Sequence, residues 1–302
     1  MKLLFDSNYR FAKMASWGFC NSLSDEEFIK RMFKSKTGLN LNLEKPKMFS
    51  EKLQWLNLYN RQSDYTLMVD KYSVRQYVSD KIGKDFLIPL LGVWNTPDDI
   101  DFDKLPDKFV LKCNHNSGLG MFICKDKSIM NVSQVKKSLK LGLSQNYYLS
   151  WREWPYKDVE RKIICEKYME DDEGELKDYK FFCFHGQVEY CQLIEGRFTK
   201  ITKDFYDREW NHMDFSGLEG ELRQSPRVQH KPDCFDEMIR IAEMLSENIP
   251  FVRVDLYCIS QKIYFGELTF FPAAGFGSFS PTEWNYKIGD KLLLPEEKLL
   301  NN

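Results

Sequence analysis

The stretch Phe251-Val252-Arg253-Val254-Asp255-Leu256-Tyr257 alternates apolar and polar residues, and this period of two predicts a β-strand. Successive side chains of a strand point to opposite faces, so the two inner valines share one face with Leu256. Arg253 and Asp255 share the other face. A carboxylate beside an arginine on one strand face indicates a site for a metal and a phosphate group.

A second strand is predicted over Lys262 to Phe271, which is rich in aromatic and β-branched residues. If the turn is the three residues Ser260-Gln261-Lys262, Asp255 lies opposite Glu267 with the side chains roughly 5 Å apart. Thr269 follows on the same face. Carboxylates directly opposite each other are destabilising unless a cation lies between them, and oxygen ligands suit Mg²⁺ or Mn²⁺.

The composition limits the class of protein. The 302 residues suffice for one large domain or two to three small ones, and the net charge of -2 argues against nucleic acid as a partner. Residues 1–19 carry charges at intervals that break any signal-peptide core, and no run reaches 18 apolar residues. We therefore expect membrane contact to be peripheral at most.

Eight cysteines are scattered along the chain without any Cys-x-x-Cys motif, and most of them lie in apolar, strand-like runs. This pattern is typical of reduced core residues in a cytosolic protein. It predicts a cytoplasmic location, and the inner face of the cytoplasmic membrane remains an alternative.

Helices are predicted for most of the N-terminal part of the chain. A helix capped by Ser24 runs to Phe33, a second covers Ser50 to Tyr59, and a third covers Tyr65 to Asp80. The third helix is expected to carry the charged pair Asp70-Lys71.

A glycine-containing loop separates two strands predicted at Phe109–Cys113 and Met121–Cys124. The connector, Asn114-His115-Asn116-Ser117-Gly118-Leu119-Gly120, is too long and too polar for a simple turn. Glycines and small residues let backbone N–H groups bind phosphate oxygens, although a surface hairpin loop has a similar composition. Lys112 favours phosphate binding, because a lysine inside an apolar strand is costly unless its ammonium group meets an anion.

Further segments have the periodicity of regular elements. They are strands at Leu87–Trp94 and Lys162–Met169, a hairpin of Asp178–Phe184 with Gln187–Ile194, and a helix at Asp233–Glu247. Asp178 and Lys180 fall on one face of the hairpin. The segment Phe270-Phe271-Pro272 with Gly275-Phe276-Gly277 is expected either to wall the site or to pack against the sheet.

The order of these features resembles the ATP-grasp superfamily. A lysine-bearing strand and a glycine loop precede a strand ending in Glu166-Lys167, a strand with Asp178-x-Lys180, and the acidic hairpin. More narrowly, five stretches resemble the TupA-like group, which is named for teichuronopeptide synthesis and found in polysaccharide clusters. These stretches are Glu51–Leu56, Val69–Tyr72, Phe109–His115, Asp178–Phe182 and Gly266–Thr269. The likeness spans roughly residue 37 to the C-terminus.

The resemblance implies an α/β (α+β) protein with the ATP-grasp fold, in which two α+β subdomains grip ATP between antiparallel sheets. We expect a helical region at residues 1–62, an N-terminal subdomain with the phosphate loop at 63–165, and a C-terminal subdomain with the metal site at 166–302. The Rossmann-like domain usual at the N-terminus is not evident here.

The resemblance also implies which residues contact ATP. The phosphates would contact Lys71, Lys112 and Lys180, together with the loop residues His115, Ser117, Gly118 and Gly120. The adenine ring would contact the Glu166 carboxylate and the backbone of Lys167, Tyr168 and Met169. The ribose would contact Asp178. His115 is also explained as a solvated loop histidine.

Catalytic and metal-binding roles follow from the same resemblance. The implied catalytic residues are Arg253, Lys112, Lys180 and Arg197, and the implied metal ligands are Asp255, Glu267 and Thr269. A guanidinium fork such as that of Arg253 suits a transferring phosphoryl group. Many superfamily members have Glu-x-Asn where this chain has Glu267-x-Thr269. Thr269 therefore either ligates the metal less well than an amide or only orients a water.

The implied activity is an ATP- and Mg²⁺-dependent ligation. A carboxylate attacks the γ-phosphate to give an acyl phosphate and ADP, and an amine then displaces phosphate to form an amide. In a surface polysaccharide pathway the substrates would be a uronic acid and an amino acid or another amine.

The sequence is also compatible with three other functions. A glycosyltransferase would use Asp101-Phe102-Asp103 for the metal of a nucleotide sugar, although these residues are more simply a solvated acidic loop. A phosphotransferase would stop after phosphoryl transfer. A non-catalytic nucleotide-sensing protein would keep the site without turnover.

Overall fold

The computed structural model describes residues 7–171, 174, 176–196, 200–218, 224–225 and 229–300. Within these ranges lie nine α-helices and eleven β-strands. The helices are α1 (Ser7–Ser16), α2 (Asp25–Thr37), α3 (Phe49–Tyr59), α4 (Asp64–Val69), α5 (Val74–Ile82), α6 (Val132–Ser144), α7 (Tyr147–Trp151), α8 (Phe235–Leu245) and α9 (Trp284–Lys291). The strands are β1 (Leu90–Trp94), β2 (Phe109–Cys113), β3 (Phe122–Cys124), β4 (Ile163–Lys167), β5 (Asp178–Phe184), β6 (Gln187–Glu195), β7 (Thr202–Tyr206), β8 (Ser216–Gly217), β9 (Phe251–Ile259), β10 (Lys262–Thr269) and β11 (Phe279–Ser280).

The first two predicted helices are confirmed. The Ser24 hydroxyl accepts a hydrogen bond from the Glu27 backbone N–H at 3.3 Å, which caps α2, and Gly38 ends that helix with a φ of 76°. The core of this region contains Phe28 and Phe33 of α2, and it reaches Phe276 near the C-terminus. The N-terminal helices therefore pack as part of the same body as the C-terminal part of the chain.

The third predicted helix is wrong, because the chain leaves the helical conformation at Asp70 and divides the segment into α4 and α5. The Asp70 carboxylate accepts hydrogen bonds from the Tyr72 N–H at 2.8 Å and the Ser73 hydroxyl at 2.6 Å. Short side chains that bond the local backbone in this way compete with a helix. Asn114 donates to the same carboxylate at 2.7 Å, so the break fixes Lys71 beside the glycine loop.

Two antiparallel sheets dominate the fold. The first has the strand order β1-β4-β2-β3 and the second has the order β10-β9-β5-β6-β7, while β8 and β11 form a separate short pair. The apolar face of β9 and the buried face of α8 contribute to the larger core, and the first sheet packs on α6 in a second core. The predicted mixture of helices and antiparallel sheets is confirmed.

The hairpin of β9 and β10 has the predicted pairing of Asp255 with Glu267, but its turn differs from the predicted one. Ile259 pairs with Lys262, so the turn has two residues and the three-residue turn is wrong. Both turn residues have positive φ, 47° at Ser260 and 66° at Gln261, as in a type I′ turn. The pairing then shifts by one between Phe265 and Glu267, at Gly266, so Glu267 still pairs with Asp255.

The cysteines occupy the positions expected of core residues. None of the eight forms a disulfide, and all but Cys258 are buried. In the described part of the chain, no helix is long and apolar enough to cross a membrane.

Candidate active site

A cleft of about 680 Å³ is lined by residues of both large sheets, the glycine loop and the segment after β10. The first sheet contributes Lys112, and the second contributes Lys180, Arg253, Asp255 and Glu267. Charged residues of both signs therefore converge from strands that are far apart in the sequence.

Asp255 lies at the centre of this arrangement and is only 1% exposed. The Arg253 guanidinium binds both of its oxygens, with Nε at 2.7 Å from Oδ1 and Nη2 at 2.8 Å from Oδ2. Lys180 projects from the neighbouring strand, where its Cα pairs with that of Asp255, and donates to Oδ2. A buried carboxylate needs such partners, because an unpaired charge is strongly destabilising in the interior.

Glu267 is the more open of the two carboxylates, with 40% of its side chain exposed. Its Oε1 lies 3.4 Å from both Arg253 Nη2 and the Thr269 hydroxyl, and its Oε2 lies 4.0 Å from Lys71 Nζ. Burial acts to raise the pKa of Glu267, but Lys71 and three further cations together lower it to about 2. Glu267 is therefore ionised at neutral pH.

Lys71 is held against the glycine loop. Its Nζ donates to the Asn116 carbonyl at 2.8 Å, and its backbone N–H donates to the Asn114 carbonyl at 3.2 Å. Burial lowers the pKa of Lys71, and Glu267 opposes this shift. Ser117 and Gly118 of the loop line the same cleft, with Gly118 at a φ of 82°.

Glu166 on β4 is buried between two cations and is not part of the cleft lining. Lys112 Nζ lies 2.6 Å from Oε2, and Arg75 Nη1 lies 3.4 Å from Oε1. Arg75 also donates to the Ile88 carbonyl at 2.9 Å, which ties α5 to the segment that precedes β1. Glu166, which is predicted to contact adenine, thus forms an ion pair with Lys112, which is predicted to contact phosphate.

The family model described as TupA-like ATPgrasp matches residues 51–293. The chain belongs to the TupA-like ATP-grasp family. Its fold is therefore the ATP-grasp fold, and the family and fold predicted from the sequence are confirmed. A comparison with curated proteins gives no match.

Solved ATP-grasp structures resemble the chain at low identity. A D-alanine–D-alanine ligase from Bacillus anthracis complexed with ATP has 15% identity and a TM-score of 0.41, over 68% of this chain and 55% of that one. A D-alanine–D-alanine ligase from Helicobacter pylori has 12% identity and a TM-score of 0.45, over 82% and 70%. The ATP-grasp ligase PsnB, complexed with minimal precursor, Mg and ADP, has 12% identity and a TM-score of 0.41, over 80% and 65%. The chain thus spans between 55% and 70% of the length of these ligases.

Most of the predicted site residues line the ATP-grasp cleft together. They are Lys71, Lys112, Ser117, Gly118, Asp178, Lys180, Arg253, Asp255, Glu267 and Thr269. Phe271 and Phe276 also line it while being largely buried, so the aromatic segment both walls the cleft and packs. Arg197 lies outside the described residues.

Two predicted loop residues do not line the cleft. His115 is 2% exposed, its Nε2 donates to the Gln145 carbonyl at 3.1 Å, and burial lowers its pKa. It is therefore not a solvated loop histidine, and its contact with a phosphate stays a prediction. Gly120 packs against Gly142, and a Cβ at Gly120 would lie 2.9 Å from the Gly142 Cα. This close approach of two backbones accounts for the glycine.

The segment predicted to contact adenine begins at Lys167, the last residue of β4. Lys167 is exposed, and its backbone N–H donates to the Pro89 carbonyl at 3.0 Å. Tyr168 lies between Lys108 and Lys125, each with Nζ 5.7 Å from the ring centroid, and Met169 is half-buried. None of the three is part of the cleft lining.

The acidic motif of the glycosyltransferase alternative lies elsewhere. Asp101 caps a short 3₁₀ turn by accepting from the Asp103 N–H at 3.2 Å, and it pairs with Lys104 at 2.9 Å. Both aspartates are exposed, and they lie outside the lining of the cleft. The motif is the solvated acidic loop that its composition indicates.

Sequence reasoning missed a buried acid in the cleft wall. Glu153 lines the cleft and is 4% exposed. Burial is the main reason that its pKa rises to about 8, and Tyr147 donates a hydrogen bond to it. The signal in the sequence is the charged pair Arg152-Glu153 between Trp151 and Trp154, because charges flanked by bulky aromatics are rarely solvated.

Proposed function

We propose that this TupA-like ATP-grasp chain is an ATP-dependent ligase that joins a carboxylate to an amine through an acyl phosphate. The observation that carries the proposal is the meeting of cations and carboxylates in one cleft, from both large sheets and from the segment between α4 and α5. Among the residues that line it are the cations Lys71, Lys112, Lys180 and Arg253 and the carboxylates Asp255 and Glu267. A site of this composition suits a polyphosphate with its counter-cation, which is what phosphoryl transfer from ATP requires.

In this proposal the ATP phosphates lie between the glycine loop and the second sheet. Lys112 and Lys180 each pair with a carboxylate in the structure, Glu166 and Asp255 respectively. They would exchange these partners for phosphate oxygens when ATP binds. The ion pairs hold both lysines in position before the substrate binds. Cations that are oriented in advance stabilise the transition state without further reorganisation.

The donor set of Asp255, Glu267 and Thr269 fits Mg²⁺ or Mn²⁺. It offers only oxygen atoms, and the Glu267 carboxylate is ionised at neutral pH and partly open to the cleft. Both Asp255 oxygens are bonded to Arg253 and Lys180, so Asp255 would join Glu267 as a ligand when those cations turn to phosphate. A bound Mg²⁺ would neutralise charge on the phosphate oxygens.

The residues of the chain act by positioning and charge, and no protein nucleophile is required. Arg253 and Lys180 would stabilise the charge on the transferring phosphoryl group as the substrate carboxylate attacks it. The product of this step is an acyl phosphate, which an amine then attacks to give an amide. The family name supports a uronic acid as the carboxylate and surface polysaccharide biosynthesis as the pathway, with the reaction in the cytoplasm.

The test uses the purified chain with ATP, Mg²⁺, a panel of uronic acids and a panel of amines. We expect ADP release that depends on a uronic acid, and an amide product when an amine is also present. A folded protein that releases no ADP beyond the substrate-free rate with any pair would contradict the proposal. A stable phosphorylated sugar that resists amines would instead support the phosphotransferase alternative.

A further inference from the structure

Glu153 is a buried carboxyl group for which ATP binding and phosphoryl transfer give no role. It lines the same cleft as Arg253 and Glu267 while being 4% exposed. Within the described residues, no lysine or arginine forms an ion pair with it. Lys71 and Arg253 act on its carboxyl group through their charge, without a direct contact among the described residues. A buried carboxyl group is destabilising when ionised unless a cation pairs with it directly, and a cationic ligand in the cleft would supply that pairing.

The backbone on both sides of Glu153 is fixed by buried polar contacts. Arg152 has a left-handed φ of 62° and donates through its guanidinium to the carbonyls of residues 20, 21 and 23, at 3.2, 3.0 and 3.4 Å. Asn57 bridges the same turn, donating to the Arg152 carbonyl at 3.0 Å and accepting from the Trp154 N–H at 3.4 Å. Glu153 is thus held in the cleft wall by the N-terminal helices.

Aromatic residues form the cleft wall around this carboxyl group. Tyr147 donates a hydrogen bond to Glu153, and its ring meets the Tyr156 ring edge to face with 4.8 Å between centroids. The Trp151 ring lies 6.3 Å from the Phe276 ring. Lys36 holds its ammonium group over the Trp151 ring, with Nζ 5.1 Å from the centroid. Aromatic faces beside a carboxylate, here those of Tyr147 and Tyr156, favour an ammonium group through cation–π attraction and charge pairing together.

We propose that Glu153 binds the ammonium group of the amine substrate and takes up a proton from it as the amide forms. This rests on the proposed ligase function and assigns the amine position within that site. The amine class is a primary amine, protonated in solution, on a carbon skeleton that packs against aromatic rings.

The proton balance of the step is as follows. The ammonium nitrogen loses one proton to the Glu153 carboxylate and attacks the carbonyl carbon of the acyl phosphate. The bond from that carbon to the phosphate oxygen breaks, and its electron pair leaves with inorganic phosphate. The second proton lost from nitrogen goes to the leaving phosphate, so the products are the amide and hydrogen phosphate.

The charged groups that face Glu153 are consistent with this cycle. Burial and Glu267 raise its pKa, whereas Tyr147, Lys71 and Arg253 lower it. An incoming ammonium group would lower the pKa further and ionise the carboxyl group. As the ammonium group gives up a proton its positive charge is lost, so the pKa of Glu153 rises again and the carboxylate keeps that proton while the neutral amine attacks.

The test is Glu153→Gln with two nucleophiles. Hydroxylamine is uncharged at neutral pH and traps an acyl phosphate as a hydroxamate without a base, whereas an alkyl amine must lose a proton. We expect the variant to form hydroxamate within about 3-fold of wild type and to lose amide formation with the alkyl amine by about 10²-fold or more. Glu160→Gln is the matched control, because Glu160 is an exposed glutamate of the same segment of chain, and it should leave both rates unchanged.

Each other outcome is informative. Wild-type amide formation by Glu153→Gln would overturn the assignment, and so would equal loss of hydroxamate and amide, because the acid would then serve ATP or the carboxylate. If wild type forms no hydroxamate with any carboxylate, the ligase function itself fails. Thermal unfolding confirms that the variant is folded, and Tyr147→Phe provides a second variant, for which we expect a smaller loss confined to the alkyl amine.

Discussion

The Arg253 guanidinium contacts two carboxylates and one hydroxyl group in the cleft. Its guanidinium reaches both oxygens of Asp255, and its Nη2 also lies 3.4 Å from Glu267 and 3.1 Å from Thr269. This fork fixes the relative positions of the two carboxylates before any ligand binds. The geometry of the site therefore depends on a planar group and not only on a positive charge.

Replacing Arg253 by lysine should reduce turnover although the charge is retained. A lysine has one compact ammonium group and cannot bind both Asp255 oxygens at once. We expect the rate of substrate-dependent ADP release to fall about 10²-fold, as when one preorganised donor is lost from an active site. The control is Arg240→Lys, because Arg240 binds Glu237 through two nitrogens on an exposed helix face. Equal rates for the two variants would contradict this role of the fork.

Glu153 should make the stability of the protein depend on pH. Its pKa is about 8 in the folded protein, chiefly through burial, against an ordinary value of 4.5. Between these values the folded state holds a proton that the unfolded state releases, so stability falls as pH rises, by at most about 1.4 kcal/mol per pH unit. Glu153→Gln stays neutral and should gain stability over wild type as the pH rises from 5 to 8.

Urea unfolding at pH 5, 6.5 and 8 measures this difference. The exposed Glu160→Gln variant should follow the wild-type curve at each pH. If the curves of Glu153→Gln and wild type stay parallel, then Glu153 titrates near its ordinary value and is not held neutral by its surroundings.

The sequence identified the charged residues of the second sheet because strand periodicity fixes which side chains share a face. Asp178, Lys180, Arg253 and Asp255 follow from that rule alone. It did not identify Glu153, whose environment is set by contacts with the N-terminal helices almost 100 residues earlier. The partners of Glu166 were also beyond the sequence, since Lys112 depends on the pairing of β2 with β4 and Arg75 on the packing of α5.

The β9–β10 hairpin shows how a correct register can follow from an incorrect turn. A two-residue turn alone would place Asp255 opposite Gly266, and the bulge at Gly266 restores the pairing with Glu267. A bulge adds one unpaired residue without a marked change in composition, so periodicity does not reveal it. The division of the predicted third helix at Asp70 has a similar cause, because it depends on a hydrogen bond from the distant Asn114.

Glycine at position 261 should stabilise the hairpin. Gln261 has a φ of 66°, a conformation that is unfavourable for a residue with a Cβ, whereas the neighbouring hairpin has Gly186 at the equivalent second position of its turn. We expect Gln261→Gly to raise the free energy of unfolding by about 0.5 to 1 kcal/mol, measured by urea unfolding.

The control for this substitution is Gln187→Gly, at the first residue of strand β6. Glycine there gains nothing from a positive φ and has greater freedom in the unfolded chain, so it should destabilise. If both substitutions destabilise to the same extent, the turn does not hold the conformation described.

The N-terminal helices support one wall of the cleft. Arg152 is fully buried and joins the turn that carries Glu153 to the carbonyls that follow α1. Its guanidinium also lies 4.8 Å from the Phe28 ring of α2. A helical region thus occupies one side of the cleft and holds a residue assigned to the amine position.

Arg152→Met should destabilise the protein by about 3 kcal/mol, because methionine has a similar length but leaves buried carbonyls without donors. Hydroxamate and amide formation should both be measurable below the unfolding temperature, with the amide reaction more strongly reduced. The control is Arg161→Met, since Arg161 also donates to two backbone carbonyls but lies at the surface. A loss no larger than that of the control would show that the N-terminal helices are dispensable to the cleft.

The transfer of an oxygen atom from the carboxylate to inorganic phosphate distinguishes an acyl phosphate route from other routes to the amide. A carboxylate substrate labelled with ¹⁸O in both carboxyl oxygens is incubated with the chain, ATP, Mg²⁺ and an amine, and the inorganic phosphate is analysed by ³¹P NMR or mass spectrometry. Attack of the carboxylate on the γ-phosphate predicts one ¹⁸O atom in each phosphate released with the amide. Amide and ADP formed with unlabelled phosphate would contradict an acyl phosphate route through this cleft.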